Sequence, residues 1–309
     1  MLRLLFTGGG GAGNEAIYRL LRDKYDLHFA DADLESIDSG IPAGRRHEIP
    51  IAKAKNFLEA LFQLGRKLSI DVIVPGVDEE LSALCDVAAR DLNCPVLMPD
   101  EDYVLTMLDK QRFADVLRSK NITVPATVPL DRAQEIGFPC FSKPRYGRGS
   151  RDTYILRNEG QSKALFAWSV SREVEFIAQK LLKGQEYTVL MAADSRQNLH
   201  AVLPVEVSLK RGITLRAHTV SNSIVEDACR RIHESFPAHG CYNIQLIQTA
   251  DGTIYPFEIN PRISTTFCLG VAAGIDPVEI FLSKSAPAEL LPFRENLALR
   301  RRWTNRIGE

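Results

Sequence analysis

Short apolar segments alternate with amphipathic segments over the N-terminal third of the chain, and this alternation is what most narrows the possible folds. Segment 2–7 is apolar and stops at glycines, as a buried strand does. Segment 14–24 follows with apolar positions at helical spacing. The same reasoning predicts strands at 27–30, 71–75 and 95–98 and helices at 57–68 and 79–92. Strands that alternate with helices indicate an α/β domain with a parallel, Rossmann-like sheet.

The pattern changes after Asp100. A helix is predicted over 108–119, and extended chain marked by prolines follows it. From Phe138 onward, short strands, glycine turns and hairpins dominate, which is typical of an α+β domain. Further helices are predicted near 162–172, 223–236 and 277–283. We therefore place the main domain boundary near residue 105, so that 1–105 and 106–309 form separate domains.

The composition is that of a globular protein with a sizeable core. Hydrophobic residues make up 45% and charged residues 25% of 309 residues, and the net charge is −1 at pH 7. Such a balance provides no field that attracts nucleic acid or anionic lipid, so we expect neither as a partner. We find no signal-peptide pattern and no apolar run long enough for a membrane helix, and we expect a cytoplasmic protein. The basic run at 299–303 is interpreted as a solvated or locally paired chain end.

A glycine-rich turn follows the first predicted strand. Gly8, Gly10 and Gly13 fit G-x-G-x-x-G, and Asp31 or Asp33 stands at the spacing of a dinucleotide-binding domain. Such glycines let the backbone approach a ligand, and an anion can bind at the helix N-terminus. The alternative is a tight strand-to-helix turn that binds no nucleotide.

A predicted hairpin near the C-terminus carries hard oxygen donors. Segments 243–248 and 254–258 are joined through Asp251-Gly252, a strong turn signal. Alternation along the strands can place Gln245 on the same face as Glu258 and Asn260, and amide and carboxylate oxygens suit Mg²⁺. Arg262 lies two residues further on and could pair with a phosphate. An exposed strand with polar residues is the alternative.

A second basic segment has the composition of a phosphate-binding loop. Lys143 ends an apolar strand, and Gly147, Gly149 and Ser150 follow among arginines. Glycines expose backbone N–H groups to phosphate oxygens, while lysine and arginine supply charge. No G-K-[ST] follows the glycines, so this is not a Walker A loop, and a basic surface turn is the alternative.

Taken in order, these segments resemble the ATP-grasp superfamily, most closely the branch of the carbamoyl-phosphate synthase large subunit and the amino-acid ligases. LDKQRFADVLRSKNITVP looks like the family's opening helix, QKLLKGQEYTV like the hinge strand between its lobes, and FEINPR like its metal-binding signature. The first hundred residues look like the Rossmann-like domain that precedes the ATP-grasp domain. The resemblance implies a smaller lid lobe at about 123–185 and a larger lobe at about 186–309.

The resemblance also implies roles for single residues. It assigns nucleotide contacts to Lys110, Lys143, Gly147, Gly149, Ser150, Gln179, Leu181, Leu182 and Glu186. Among them, Leu181 and Leu182 would flank adenine and Glu186 would bind the ribose, while Gln179 stands where the family commonly has a glutamate. It assigns Mg²⁺, or Mn²⁺ in its place, to Gln245, Glu258 and Asn260, and catalytic contacts to Lys143 and Arg262.

The implied activity is ADP-forming ligation of a small-molecule carboxylate to an amine through an acyl phosphate. The oligomeric state stays open, with a homodimer as one alternative because relatives are often dimers. Complete carbamoyl-phosphate synthesis is not expected, because that subunit contains two such units. His218 is a candidate for the acceptor pocket, although an isolated histidine is more often structural. Two other functions stay open: an NAD(P)-dependent oxidoreductase that uses the Gly8–Gly13 loop, and a non-catalytic ATP-binding protein.

Overall fold

The N-terminal part of the chain forms a four-stranded parallel sheet. The computed structural model describes residues 1–85, 94–149 and 151–302. The sheet consists of β1 (Arg3–Thr7), β2 (Asp26–Asp31), β3 (Arg46–Glu48) and β4 (Val72–Val74), in the order β3-β2-β1-β4. Its helices are α1 (Asn14–Leu21), α2 (Phe57–Leu68) and α3 (Asp78–Cys85). The predicted parallel α/β arrangement is thus confirmed, and α2 has the predicted bounds.

Two details of this sheet differ from the prediction. Segment 95–98 makes only one bridge, between Val96 and Ile73, because Pro95 has no N–H to donate to a longer ladder. The three-residue strand β3 was not predicted, since Arg46–Glu48 is polar and shows no apolar alternation. The predicted helix over 79–92 is present up to Cys85, and its remainder lies outside the described residues.

The predicted helix over 108–119 corresponds to α5 (Lys110–Ser119), and α4 (Glu101–Leu108), which was not predicted, ends just before it. Asp109 separates them in an extended conformation, and its carboxylate accepts hydrogen bonds from the N–H groups of Gln111 and Arg112. This is an N-cap, which satisfies backbone donors that the first turn of a helix leaves unpaired. The cap fixes where α5 begins, and therefore where Lys110 lies.

Two antiparallel sheets follow. The smaller sheet has the order β5-β8-β6-β7 and comprises β5 (Thr127–Pro129), β6 (Cys140–Pro144), β7 (Tyr154–Leu156) and β8 (Phe176–Lys180). The larger sheet has the order β13-β12-β9-β10-β11-β14 and comprises β9 (Gln185–Ala193), β10 (Leu199–Arg211), β11 (Ile213–Thr219), β12 (Gly240–Gln248), β13 (Ile254–Asn260) and β14 (Ala298–Arg300). The accompanying helices are α6 (Glu159–Ser171), α7 (Ser223–Ser235), α8 (Phe267–Ala272) and α9 (Pro277–Phe281).

The larger sheet is buried on both faces. Leu190 on β9 joins the cluster that contains Phe6 of β1 and Phe267 of α8. Its neighbour Val189 joins the opposite cluster, with residues from α5 and α7. Successive strand residues point to opposite faces, so β9, which is apolar from Val189 to Ala193, packs against the cluster of the N-terminal sheet on one side and against helices α5 and α7 on the other. Within the described residues, no helix combines the length and apolar character needed to cross a membrane.

Candidate functional site

A cavity of about 970 Å³ lies where the three sheets meet. Its wall includes Lys143 from the smaller sheet, Glu258 from the larger sheet and Gly10 from the N-terminal glycine turn. Every described residue to which the resemblance assigns a nucleotide, metal or catalytic contact lines it: Lys110, Lys143, Gly147, Gly149, Gln179, Leu181, Leu182, Glu186, Gln245, Glu258, Asn260 and Arg262. Ser150 lies outside the described residues. The structure thus brings together side chains that are far apart in sequence.

The predicted hairpin is present as β12 and β13, and its register explains the clustering of oxygen donors. Gln245 lies opposite Glu258, and Asn243 lies opposite Asn260. Directly opposed residues and residues two apart on one strand share a face, so all four amide or carboxylate side chains project toward the cavity. Alternation along the strand correctly predicted this shared face.

Sequence reasoning missed Asn243, although its position two residues before Gln245 carried the signal. The side chain is 1% exposed, and its Oδ1 has no hydrogen-bond partner in the structure. A buried amide oxygen without a partner is unfavourable unless a ligand supplies one. Together with the oxygen donors beside it, this orphaned atom fits a site for a hard cation such as Mg²⁺.

A β-bulge in the hairpin places a lysine over it. The register shifts between Gln245 and Leu246, so that Phe257 is the extra residue on β13. Its carbonyl accepts a hydrogen bond of 3.0 Å from Lys143 Nζ, which lies 3.7 Å from Glu258 Oε2. The bulge therefore seats the Lys143 ammonium beside the carboxylate of the hairpin.

The charges of this pair depend on the surrounding cations. Burial, reinforced by the nearby Lys110 and Lys210, lowers the pKa of Lys143 to about 8, although Glu258 opposes the shift. Burial alone would raise the pKa of Glu258, but Lys143 and the other nearby cations hold it below its usual value. The carboxylate is therefore ionised at neutral pH, as a metal ligand must be.

Lys210, at the end of β10, is a further cation that sequence reasoning missed. Its Nζ lies 2.5 Å from Glu186 Oε1 and 2.7 Å from Gln245 Oε1, so it links the predicted ribose ligand to a predicted metal ligand. It also lies 5.7 Å from the centre of the Phe257 ring. No local signal marked it, because its role arises from the pairing of β9 with β10 and β12.

The predicted phosphate loop closes over the same end of the cavity. Lys110 Nζ donates a hydrogen bond of 2.6 Å to the carbonyl of Gly147, and Arg148 forms an ion pair of 2.9 Å with Glu79 of α3. Gly147 and Gly149 have φ of 127° and 74°, a region that favours glycine. The glycines therefore allow a turn in which a lysine, an arginine and exposed backbone N–H groups can face an anion.

The predicted hinge joins the smaller sheet to the larger one. Leu181 and Leu182 lie between β8 and β9 and line the cavity, and Gln179 donates a hydrogen bond of 3.0 Å to Thr127 Oγ1. A Cβ on Gly184 would lie 2.2 Å from the carbonyl oxygen of Gln248, so only glycine fits where the hinge crosses β12. An apolar strip thus adjoins the polar end of the cavity.

The N-terminal glycine turn lies at the other end of the cavity. Asp31 accepts a hydrogen bond of 2.9 Å from Gly10 N. A dinucleotide would require this carboxylate for its ribose, but here the carboxylate stabilises the glycine turn. A Cβ on Gly13 would lie 2.4 Å from the carbonyl oxygen of Thr265, which covers the start of α1. This packing favours a strand-to-helix turn over the pyrophosphate site of an oxidoreductase.

The sequence also singled out Arg262, His218 and the basic run at 299–303. Arg262 donates a hydrogen bond to Asp78, the first residue of α3. His218 lies on β11 and is absent from the described residues that line the cavity, which favours the structural alternative. In the basic run, Arg301 is partly buried and donates hydrogen bonds to backbone carbonyls of Thr214, Thr265 and Ala12, whereas Arg300 and Arg302 are exposed.

Comparison with known proteins agrees with this geometry. The model of the family described as "ATP-grasp in the biosynthetic pathway with Ter operon" matches residues 172–303. The N5-carboxyaminoimidazole synthase of Aspergillus clavatus, solved with ADP and 5-aminoimidazole ribonucleotide, superposes with a TM-score of 0.71 at 17% identity, over 95% of this chain and 80% of that one. The chain has the ATP-grasp fold.

Other ATP-grasp relatives extend the similarity. The biotin carboxylase domain of the Hydrogenobacter thermophilus 2-oxoglutarate carboxylase has a TM-score of 0.71 at 17% identity, over 96% of this chain and 73% of that one. The arginine-specific large chain of carbamoyl phosphate synthase from Geobacillus stearothermophilus is 26% identical over 259 residues, which is 78% of this chain and 22% of that protein. The carbamoyl phosphate synthase large chain of Halobacterium salinarum is 24% identical over 85% of this chain and 28% of its own length. The chain thus spans roughly a quarter of the length of these curated relatives.

Proposed function

We propose that this chain is an ADP-forming ligase that joins a small-molecule carboxylate to an amine through an acyl phosphate. The observation that carries the proposal is the placement of Lys143, Glu258 and Arg262 on one wall of a single cavity. Transfer of a phosphoryl group builds up negative charge that fixed cations can stabilise. The relatives named as synthases and carboxylases, two of them solved with ADP, support the same reaction type.

Each part of the cavity has a task in this scheme. The apolar strip at Leu181 and Leu182 suits adenine, and Glu186 suits the ribose hydroxyls. Lys110 and the glycine loop at 147–149 suit the phosphates. Closure of that loop would exclude water, which would otherwise hydrolyse an acyl phosphate.

The hairpin fits Mg²⁺. Gln245, Glu258 and Asn260 would hold it, and the unpaired oxygen of Asn243 lies on the same face. When bound, Mg²⁺ supplies a Lewis acid that neutralises charge on the phosphate oxygens. Lys143 and Arg262 orient and stabilise the transferring group from either side of the hairpin. A cytoplasmic location and the use of Mn²⁺ stay predictions.

The experiment replaces the hairpin ligands. ADP release from ATP and Mg²⁺ is measured across a panel of amino acids offered singly and in pairs, with mass analysis of products. Glu258→Gln and Asn260→Ala should each lower kcat by at least about a hundredfold, the scale on which a charge-stabilising group acts. Asp227→Asn on α7, which removes an exposed ion pair with Arg230, serves as the control. Unchanged ADP release in both hairpin variants would refute the metal assignment.

We also propose a homodimer, on the precedent of the 2-oxoglutarate carboxylase domain, which is described as a dimer. Light scattering after size-exclusion chromatography tests this. A mass of twice 34.5 kDa is the expected result, and a mass of 34.5 kDa at micromolar concentration would contradict it.

A further inference from the structure

The first turn of α3 carries three consecutive carboxylates beside the cavity. Asp78 is hydrogen-bonded to Arg262, and Glu79 is paired with Arg148. Glu80 is 5% exposed and accepts a hydrogen bond from Thr7 Oγ1, and it has no ion-pair partner in the described part of the chain. A buried carboxylate without a cation is unfavourable unless it is protonated or a ligand supplies the positive charge.

The cavity wall carries charged groups of both signs. Lys110, Lys143 and Lys210 line it near Glu258 of the hairpin. Glu79 and Glu80 of α3 also line it, together with Asp31 of the glycine turn. A substrate with phosphates at one end and an ammonium group at the other would match this distribution.

The N-terminal glycine turn adjoins the chain that follows the hairpin. The glycine turn packs against the segment that follows Arg262, since a Cβ on Gly11 would lie 3.8 Å from Thr265 Cγ2. Ser264 Oγ, from a residue that lines the cavity after Arg262, is buried and has no hydrogen-bond partner among the described residues, as is also true of Asn243 Oδ1 on the hairpin. The unpaired hydroxyl of Ser264 points to a polar ligand between the hairpin and the glycine turn.

Glu80 has the acid–base properties that such a ligand would require. Burial raises the pKa of Glu80 to about 7. Asp31 on β2 and Glu79 on α3 also raise it, while the hydrogen bond from Thr7 and the charge of Arg148 oppose the rise. A group with a pKa near the working pH is best suited to accept a proton and release it again.

Resting on the proposed function, we propose that Glu80 binds the ammonium group of the amine substrate and acts as the base that takes its proton. The proton moves from nitrogen to the Glu80 carboxylate, and the freed amine bonds to the carbonyl carbon of the acyl phosphate. The bond between that carbon and the phosphate oxygen breaks, and its electron pair leaves with inorganic phosphate. The second proton lost by nitrogen goes to the departing phosphate, and Glu80 returns its own to solvent.

The test separates this role from the proposed function by the choice of nucleophile. Hydroxylamine is mostly uncharged at neutral pH, so it can trap an acyl phosphate as a hydroxamate without help from a base. The full chain is assayed with ATP, Mg²⁺ and an amino-acid panel as carboxylates. Hydroxylamine is the nucleophile in one series and amino acids are the amines in the other. Hydroxamate formation measures whether the acyl phosphate of the proposed function is made. Amide formation measures, in addition, whether Glu80 acts as the base.

Glu80→Gln, which is isosteric, should keep hydroxamate formation within about twofold and lose amide formation by about a hundredfold at pH 7. Glu80→Asp should recover part of that loss, and Glu59→Gln, on the surface of α2, should match wild type in both series. In the wild-type chain, amide formation should rise with pH through about 7 while hydroxamate formation stays level, a readout that needs no variant.

Four results would overturn the inference. Equal loss of both products in Glu80→Gln would indicate a structural role, and retention of both would show that Glu80 is not the base. A wild-type chain that forms no hydroxamate with any carboxylate would refute the proposed function and the inference with it. A level wild-type pH profile for amide formation would refute the inference alone.

Discussion

The guanidinium group of Arg262 is hydrogen-bonded to the carboxylate of Asp78, and so the start of α3 holds the arginine that follows the hairpin of β12 and β13. Both side chains are largely buried, at 11% and 13% exposed. Removing one partner of such a pair leaves an uncompensated charge, which is more costly than the loss of a surface ion pair. The position of Arg262 at the cavity therefore depends on a residue outside the two antiparallel sheets.

Asp78→Asn should lower kcat for ADP release by about tenfold, equivalent to about 1.4 kcal/mol, and leave the KM for ATP nearly unchanged. The reason is that Arg262 would lose its charged partner while the adenine and ribose contacts stay intact. Steady-state kinetics with the best carboxylate of the panel measures both constants. Glu101→Gln, at the exposed start of α4, is the control. A variant in which KM alone rises would show that Asp78 serves nucleotide binding.

Lys210→Met should raise the KM for ATP by about tenfold, because Glu186 and Gln245 would lose the ammonium group that lies between them. Isothermal titration with ATP and Mg²⁺ measures the loss of affinity directly. Lys163→Met is the matched control, since Lys163 is 75% exposed and pairs only with Glu159 one turn away on α6. Equal affinities for the two variants would exclude a role for Lys210 in the nucleotide site.

Two glycine-to-alanine changes should act in opposite directions. Gly184→Ala should lower the free energy of unfolding by about 2 kcal/mol, because its Cβ would meet the Gln248 carbonyl at 2.2 Å. Gly65→Ala, within α2, should raise it by up to about 1 kcal/mol, since nothing lies within 4 Å of the new atom and alanine favours a helix. Urea unfolding followed by circular dichroism gives both values, and a neutral Gly184→Ala would contradict the close approach.

Asp194, in the turn between β9 and β10, should link stability to pH. Burial would raise its pKa, but hydrogen bonds from Asn198, Arg196 and His200 lower it to about 2. The folded state therefore binds fewer protons than the unfolded state between about pH 2 and 4, and the stabilisation is present above about pH 4 and is lost as pH falls toward 2.

Asp194→Asn should accordingly lower the free energy of unfolding by about 2 kcal/mol at pH 7, and the difference from wild type should shrink below about pH 4. Urea titrations at pH 7, 4 and 3 measure this difference. Asp227→Asn provides the comparison, because Asp227 is 62% exposed and forms only a surface pair with Arg230. A difference that stays constant with pH would show that the charge of Asp194 is not responsible.

Local patterns predicted the parts of the fold that local physics controls. Strict alternation along β12 and β13 placed Gln245, Glu258 and Asn260 on one face, and helical spacing gave α2 its bounds. The helix over 108–119 was predicted to begin two residues before α5, although Asp109 is a typical N-cap residue, and α4 was not predicted.

The rest of the site depends on contacts between distant segments. Lys210 has its role only because β10 and β12 both pair with β9, and the bulge at Phe257 appears only in the strand register. In the sequence, the three acidic residues Asp78, Glu79 and Glu80 indicate only the first turn of a helix, where carboxylates interact favourably with the helix dipole in any protein. Their partners lie on β1, in the loop at 147–149 and in the chain after β13. No local sequence pattern indicates that these segments lie together.

The close approach of Gly13 to Thr265, to which Arg301 also donates a hydrogen bond from just after β14, constrains how the pocket can change. A Cβ on Gly13 would lie 2.4 Å from the carbonyl oxygen of Thr265. A new side chain at residue 13 would therefore displace the backbone that follows Arg262 as well as reshape the pocket. Changes of substrate preference are expected instead at Ser36, Lys53 or Ile51, which line the cavity and are exposed, with Gly13 and Thr265 unaltered.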